Sequence, residues 1–124
     1  MKMPKPILVV EDDPDGQMLI SHVITFMNIP NDIAITAEAA LEMLFDSGNE
    51  YQAVIIDLQL PGKDGWDLLA EIRNNSESKD LLCIAVTGFH TSKTREKALQ
   101  LGFNAYFPKP LDATHFAREL EQIL

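Results

Sequence analysis

Five short apolar runs, each followed by a stretch with helical spacing, predict an α/β domain: a parallel sheet of five strands with helices on both faces. Parallel strands need crossover connections, and helices of this length supply them. Ala53–Ile56 is apolar throughout rather than alternating, as expected of a strand covered on both sides. The runs also stop on residues with chemistry in common: Glu11-Asp12-Asp13, Asp57, Thr87 and, through Pro108, Lys109.

In chain order, Ile7–Val10 is the first strand. Asp13 is placed to cap the helix that follows, and Pro14 suits its first position, where no backbone donor is needed. Over Pro14–Met27 the spacing puts Leu19, Val23, Phe26 and Met27 on the inner face. Asp32–Thr36 is a short second strand. Ala37, Ala40, Leu41 and Leu44 then mark a second helix, stopped near Ser47-Gly48-Asn49. Ala53–Ile56 is the third strand, followed by a loop punctuated by Leu60-Pro61-Gly62-Lys63-Asp64-Gly65. A third helix turns Leu68, Leu69 and Ile72 inward and ends in the polar stretch Asn74–Asp80. Leu82–Thr87 is the fourth strand. Thr91–Leu101 has little beyond Ala98, Leu99 and Leu101 to bury before Gly102 closes it. Ala105-Tyr106-Phe107 is the fifth strand. Asp112 caps a last helix with Phe116, Ala117, Leu120, Ile123 and Leu124 inward.

A chain of 124 residues fits one domain, 1–124, with no output domain expected beside it. The net charge is −9 and is unevenly spread. Residues 1–62 carry ten acids against Lys2 and Lys5, and residues 63–124 nine acids against eight bases. Direct nucleic-acid binding is therefore not expected, since it needs a basic footprint. Crowded acids around Glu11 do give a reason to bind a cation. Cys83, the single cysteine, lies in an apolar run and reads as a buried small hydrophobe. The Met-Lys-Met-Pro-Lys-Pro start has no signal-peptide core and no membrane span follows, so a cytoplasmic protein is expected.

In open parallel sheets, ligands bind at the carboxyl ends of the strands, which is where the acids, Thr87 and Lys109 fall. Acids, a hydroxyl and an amine meeting there describe a site for a cation and a phosphoryl group. A bound cation and the Lys109 ammonium would neutralise the repulsion between an attacking carboxylate and a phosphoryl group.

The segments ILVVEDDP, VIIDLQLPGKDG, the Thr-Gly after the fourth strand and YFPKPL resemble the receiver domains of response regulators of the CheY type. The resemblance covers essentially the whole chain, with 45 residues from Asp12 to Asp57, 30 to Thr87 and 22 to Lys109. It implies a flavodoxin-like fold with strand order 2-1-3-4-5 and a place in two-component signalling. Asp57 would then be the phosphoacceptor, loaded from a phosphohistidine on a sensor histidine kinase or phosphotransfer protein. Glu11, Asp12, Asp57 and the Gln59 backbone carbonyl would hold Mg²⁺, with Asp12 a direct ligand and Glu11 acting through water. Thr87 would bond a phosphoryl oxygen and Lys109 would pair with the phosphoryl group, aimed by a cis Lys109–Pro110 peptide. Tyr106 matches the aromatic switch. The output would pass to a downstream effector protein through the face built from the fourth helix, fifth strand and fifth helix. Beyond phosphorylating and dephosphorylating itself at Asp57, no enzyme activity is implied.

Simpler readings stand beside these. Tyr106 also suits an ordinary strand aromatic, and Lys93, Arg95 and Lys97 suit a solvated helix face as well as a docking patch. Trp66 reads as packing. His22, His90 and His115 lack metal-ligand spacing, and none reads as a phosphohistidine. Gln59 and Phe89 occupy positions that in this family influence how fast an aspartyl phosphate hydrolyses, but the two residues do not predict its lifetime here. Pro108 beside Lys109 stiffens that loop, and Gly88 leaves the site open to a partner. The alternatives to a signalling receiver are a phosphoryl shuttle or sink in a relay, a phosphorylation-independent interaction module, and a module of a larger kinase or regulator. A hydrolase with an aspartyl nucleophile ranks last, because Gln59 stands where such enzymes need a second acid.

Overall fold

The computed structural model describes residues 4–124, so Met1–Met3 of the N-terminal stretch, Lys2 among them, lie outside the described residues. Five parallel strands run in the order β2-β1-β3-β4-β5. In chain order they are β1 (Ile7–Val10), β2 (Asn31–Ala34), β3 (Ala53–Asp57), β4 (Leu82–Thr87) and β5 (Ala105–Pro108). Between and after them come α1 (Pro14–Phe26), α2 (Ala37–Leu41), α3 (Gly65–Asn74), α4 (Ser92–Leu101) and α5 (Ala113–Ile123).

The unbroken apolar strands serve two cores at once, because successive side chains point to opposite faces. Leu8, Val10, Val54, Ile56, Cys83, Ala85 and Tyr106 pack beneath α2, α3 and α4. Ile7, Val9, Ala53, Ile55, Ile84, Val86 and Phe107 pack against α1 and α5. All five α-helices begin with a side-chain cap: Asp13, Thr36, Asp64, Thr91 and Asp112 each accept from a backbone N–H in the first turn.

Four expectations need correction. The second strand is Asn31–Ala34, not Asp32–Thr36, because Thr36 is spent capping α2. On α1 the buried residues are Ile20, Val23 and Ile24, while Phe26 is 88% exposed and Leu19 half-buried. α1 is apolar on more than one side, and the stripe centred on Phe26 is the outer one. On α4 only Ala98 is buried, with Leu99 41% and Leu101 52% exposed. Leu124, at the chain end, is exposed rather than inward.

α2 continues beyond Leu41 as a π-helical turn, Glu42–Asp46, in which Ser47 N–H donates to Glu42 O at 3.1 Å. Arg73, near the end of α3, donates to Gly102 O from Nε (3.1 Å) and Nη2 (2.7 Å). It also donates to Leu81 O, Lys79 O and Asn104 Oδ1, tying α3 to the start of β4 and to the turn after α4. Among the described residues no helix is long and apolar enough to cross a membrane.

Candidate functional site

Parallel pairing in register brings the ends of the strands to one edge of the sheet. Val10 pairs with Ile56, Asp57 with Val86, and Thr87 with Pro108. Backbone bonds extend the alignment past the strands: Glu11 N–H donates to Ala34 O (3.0 Å), Leu58 N–H to Val86 O (3.0 Å) and Lys109 N–H to Thr87 O (2.7 Å). The side chains of Glu11, Asp57 and Thr87 are buried there, and Asp12 stands exposed at the rim.

One oxygen from each of Glu11, Asp12 and Asp57 lies within 4.8 Å of the others. Lys109 Nζ bridges two of these acids, donating to Glu11 Oε1 at 2.5 Å and to Asp57 Oδ2 at 3.1 Å. Gln59 N–H donates to Asp57 Oδ1 at 2.9 Å, and Asp13 N–H to Glu11 Oε2 at 3.3 Å. The Lys109–Pro110 peptide is cis. Thr87 Oγ1 accepts from Phe89 N–H at 3.1 Å, so its hydroxyl braces its own loop.

Two glycines make this packing possible. A Cβ on Gly16 would fall 2.6 Å from Glu11 Oε1, and one on Gly65 would fall 2.5 Å from Asp57 O and 2.8 Å from Leu58 Cα. Gly16 leaves Glu11 room beside α1. Gly65 lets α3 begin against the end of β3. Both were visible in the sequence as glycines at helix starts but carried no spacing signal there.

Three carboxylates face one ammonium, and the electrostatics show the imbalance. Burial, with help from the Asp57 carboxylate, pushes Glu11 up to about 7 against the pull of Lys109. Lys109 is held above its ordinary value: burial lowers it, but Glu11 and Asp57 together outweigh that. A site with hard oxygen donors, excess negative charge and one open rim acid has the donor set for Mg²⁺, which binds through one or two carboxylates and keeps several waters.

Tyr106 stands apart from the acid cluster, on the β5 side facing α4. It is 5% exposed, and its hydroxyl lies 3.0 Å from His90 Nδ1. His90 belongs to the same loop as Phe89, so the loop braced by Thr87 also holds Tyr106. Nothing in the spacing of His90 predicted this role. Lys93, Arg95 and Lys97 are exposed, and Lys97 Nζ lies 4.6 Å from the centre of the Trp66 ring.

Known proteins match this arrangement. The family model for the response regulator receiver domain matches residues 7–121. The response regulator Rcp1 of Synechocystis sp. is 30% identical over 113 residues, covering 86% of this chain and 77% of Rcp1. The Mn²⁺-bound form of Rcp1 superposes with a TM-score of 0.82 at 26% identity, covering 97% of this chain and 91% of Rcp1's. The receiver domain of the sensor histidine kinase PA1611 from Pseudomonas aeruginosa, solved with a magnesium ion coordinated in its active-site cleft, superposes at 0.83. It is 28% identical, with 96% of each chain covered. CheY4 of Vibrio cholerae shares the fold at a TM-score of 0.86 and 17% identity, covering 98% of this chain and 99% of its own. With its strand order, its fold and the match over 7–121 in agreement, the chain belongs to the response regulator receiver domain family of two-component signalling.

Proposed function

We propose that the chain accepts a phosphoryl group on Asp57 from a phosphohistidine of a sensor histidine kinase or phosphotransfer protein. The observation that carries this reading is the Lys109 ammonium seated between Glu11 and Asp57 beside the converging carboxylates. In the transfer, an Asp57 oxygen bonds to phosphorus as the P–N bond breaks, and the electron pair of that bond returns to the imidazole nitrogen. Lys109 follows the growing charge on the phosphoryl oxygens. Glu11, Asp12 and Asp57, with the Gln59 backbone carbonyl, would hold Mg²⁺, which supplies charge neutralisation to both the attacking carboxylate and the phosphoryl group.

Thr87 reads the product. Turning its hydroxyl to a phosphoryl oxygen gives up the bond to Phe89 N–H, which frees the loop that holds His90 and, through it, Tyr106. Adding about two negative charges is a local event that biases this loop and α4. The signal then leaves through the face of α4, β5 and α5 to an effector protein. On this reading the only turnover is of the chain's own aspartyl phosphate, and a kinase's phosphohistidine as donor supports a cytoplasmic protein.

The test is phosphate-affinity electrophoresis after incubation with acetyl phosphate, with and without Mg²⁺, beside Asp57→Asn. A shifted band that needs both Mg²⁺ and Asp57 is expected. A folded wild-type protein that shows no shift and binds no beryllofluoride in the presence of Mg²⁺ would sink the reading in favour of a phosphorylation-independent module.

A further inference from the structure

One exposed contact between α3 and α4 has no part in the acid cluster. A groove of about 310 Å³ lies there, lined by Gln59 and Thr87 of the site, by Trp66 of α3 and by Lys93 and Lys97 of α4. No acid lines it, and neither lysine forms an ion pair among the described residues. Lys97 has no acid to reach on its own helix either: Thr94 and Gln100 stand three residues away, Lys93 and Leu101 four. Lys93, a like charge at that spacing, repels it. The Lys97 ammonium sits instead over the Trp66 ring, 4.6 Å from its centre. That ring meets the buried Phe103 edge to face, with centres 6.0 Å apart, between the end of α4 and β5.

We infer that the Lys97–Trp66 contact is a latch holding α4 in its resting position, which makes Lys97 a positioning residue for the switch. The inference rests on the phosphoryl reading of Asp57. The contact coexists with the resting site, in which Thr87 Oγ1 accepts from Phe89 N–H and Lys109 is shared between Glu11 and Asp57. A shift of α4 away from Trp66 gives the contact up, so it weights the equilibrium toward rest. Two features let so small a contact count. α4 buries only Ala98, the residue after Lys97, so little else opposes a shift. The groove, with room for about ten waters, leaves space for one. A cation–π contact at an exposed site is worth a factor of about two to five in an equilibrium.

Two measurements on the full chain test this. The first is hydrogen exchange of the α4 amides without Mg²⁺. The second is a beryllofluoride titration with Mg²⁺ in 0.5 M salt, where a Debye length of about 4 Å mutes the long-range pull of Lys97 on an anion. Lys97→Met keeps the stem and removes the charge. It should speed α4 exchange about two- to fivefold and tighten beryllofluoride binding by a similar factor. Trp66→Leu, which changes no charge, should do the same, and the double variant should go no further than the larger single effect. Lys97→Arg, which stacks on the same ring, should stay within about twofold of wild type. If Trp66→Leu loosens the whole fold through Phe103, the contrast between Lys97→Met and Lys97→Arg decides alone.

The inference is overturned if Lys97→Met leaves beryllofluoride affinity unchanged or lowers it while exchange rises, since the contact is then packing only. Single effects that multiply in the double variant, or an arginine no better than methionine, overturn it as well. A folded wild type that binds no beryllofluoride removes the phosphoryl reading itself. Faster α4 exchange in Lys97→Met would then leave a tie between α3 and α4 with no switch to restrain.

Discussion

α3 and α4 are each ten residues long and lie on the same side of the sheet, yet they are held in opposite ways. α3 buries Gly65, Leu68, Leu69 and Ile72, starts against the backbone of Asp57, and is tied at its end by Arg73. α4 buries Ala98 alone and leaves Leu99 and Leu101 in water. Elements with little buried area open at low free-energy cost, so on the proposed reading α4 is the one that a change at Thr87 would move. α3 would be the frame against which it moves.

The largest effect that would test this contrast is a pair of truncations. Ile72→Ala should destabilise the fold by about 2–5 kcal/mol, as a buried large-to-small change does, whereas Leu99→Ala should cost no more than about 0.5 kcal/mol. Urea unfolding measures both; similar losses would mean that α4 is packed as firmly as α3. Next in size is Arg73→Ala. It removes five hydrogen bonds and leaves Gly102 O and Leu81 O to find other donors, for a loss of about 2 kcal/mol. Arg73→Lys should recover little, because one ammonium cannot reach the same acceptors in fork geometry. Full recovery by lysine would show that charge, not geometry, is the tie.

The smallest effect is kinetic. Burial pushes the Cys83 thiol up to about 11, partly opposed by Arg73, so at pH 8 roughly one thiol in a thousand is ionised. Ellman's reagent should therefore label native protein only through opening. Cys83 shares its core with Ala98, and local opening of α4 would label it faster than global unfolding allows. Raising the pH from 8 to 9 should speed labelling about threefold, because the opened thiol is no longer buried and titrates at its ordinary value of roughly 8.5. A labelling rate equal to that of global unfolding would show that α4 does not open alone.

How far these features were legible in the sequence depended on what each residue answers to. Strands buried on both faces are written as unbroken apolar runs, and the acids, Thr87 and Lys109 at their ends follow from parallel registration. The caps Asp13 and Asp112 follow from local chemistry. The inner face of α1 was not legible, because Met18, Leu19, Ile20, Val23, Ile24, Phe26 and Met27 supply more than one stripe and periodicity cannot rank them. That surplus was itself a signal of a second apolar surface. Arg73 and His90 were invisible for another reason: their partners, Gly102 O and Tyr106, lie far along the chain and carry no pattern that points back to them.

Lys109 is already engaged before any phosphoryl group arrives. A group entering at Asp57 would thus not recruit an idle ligand but bid for one in use, displacing Glu11 or the free Asp57 oxygen from the ammonium. On the proposed reading the switch would be an exchange of ion pairs. Its yield is the difference between two similar attractions, not the whole of either. A small yield keeps both positions accessible, so the resting arrangement can be recovered once the phosphate is gone.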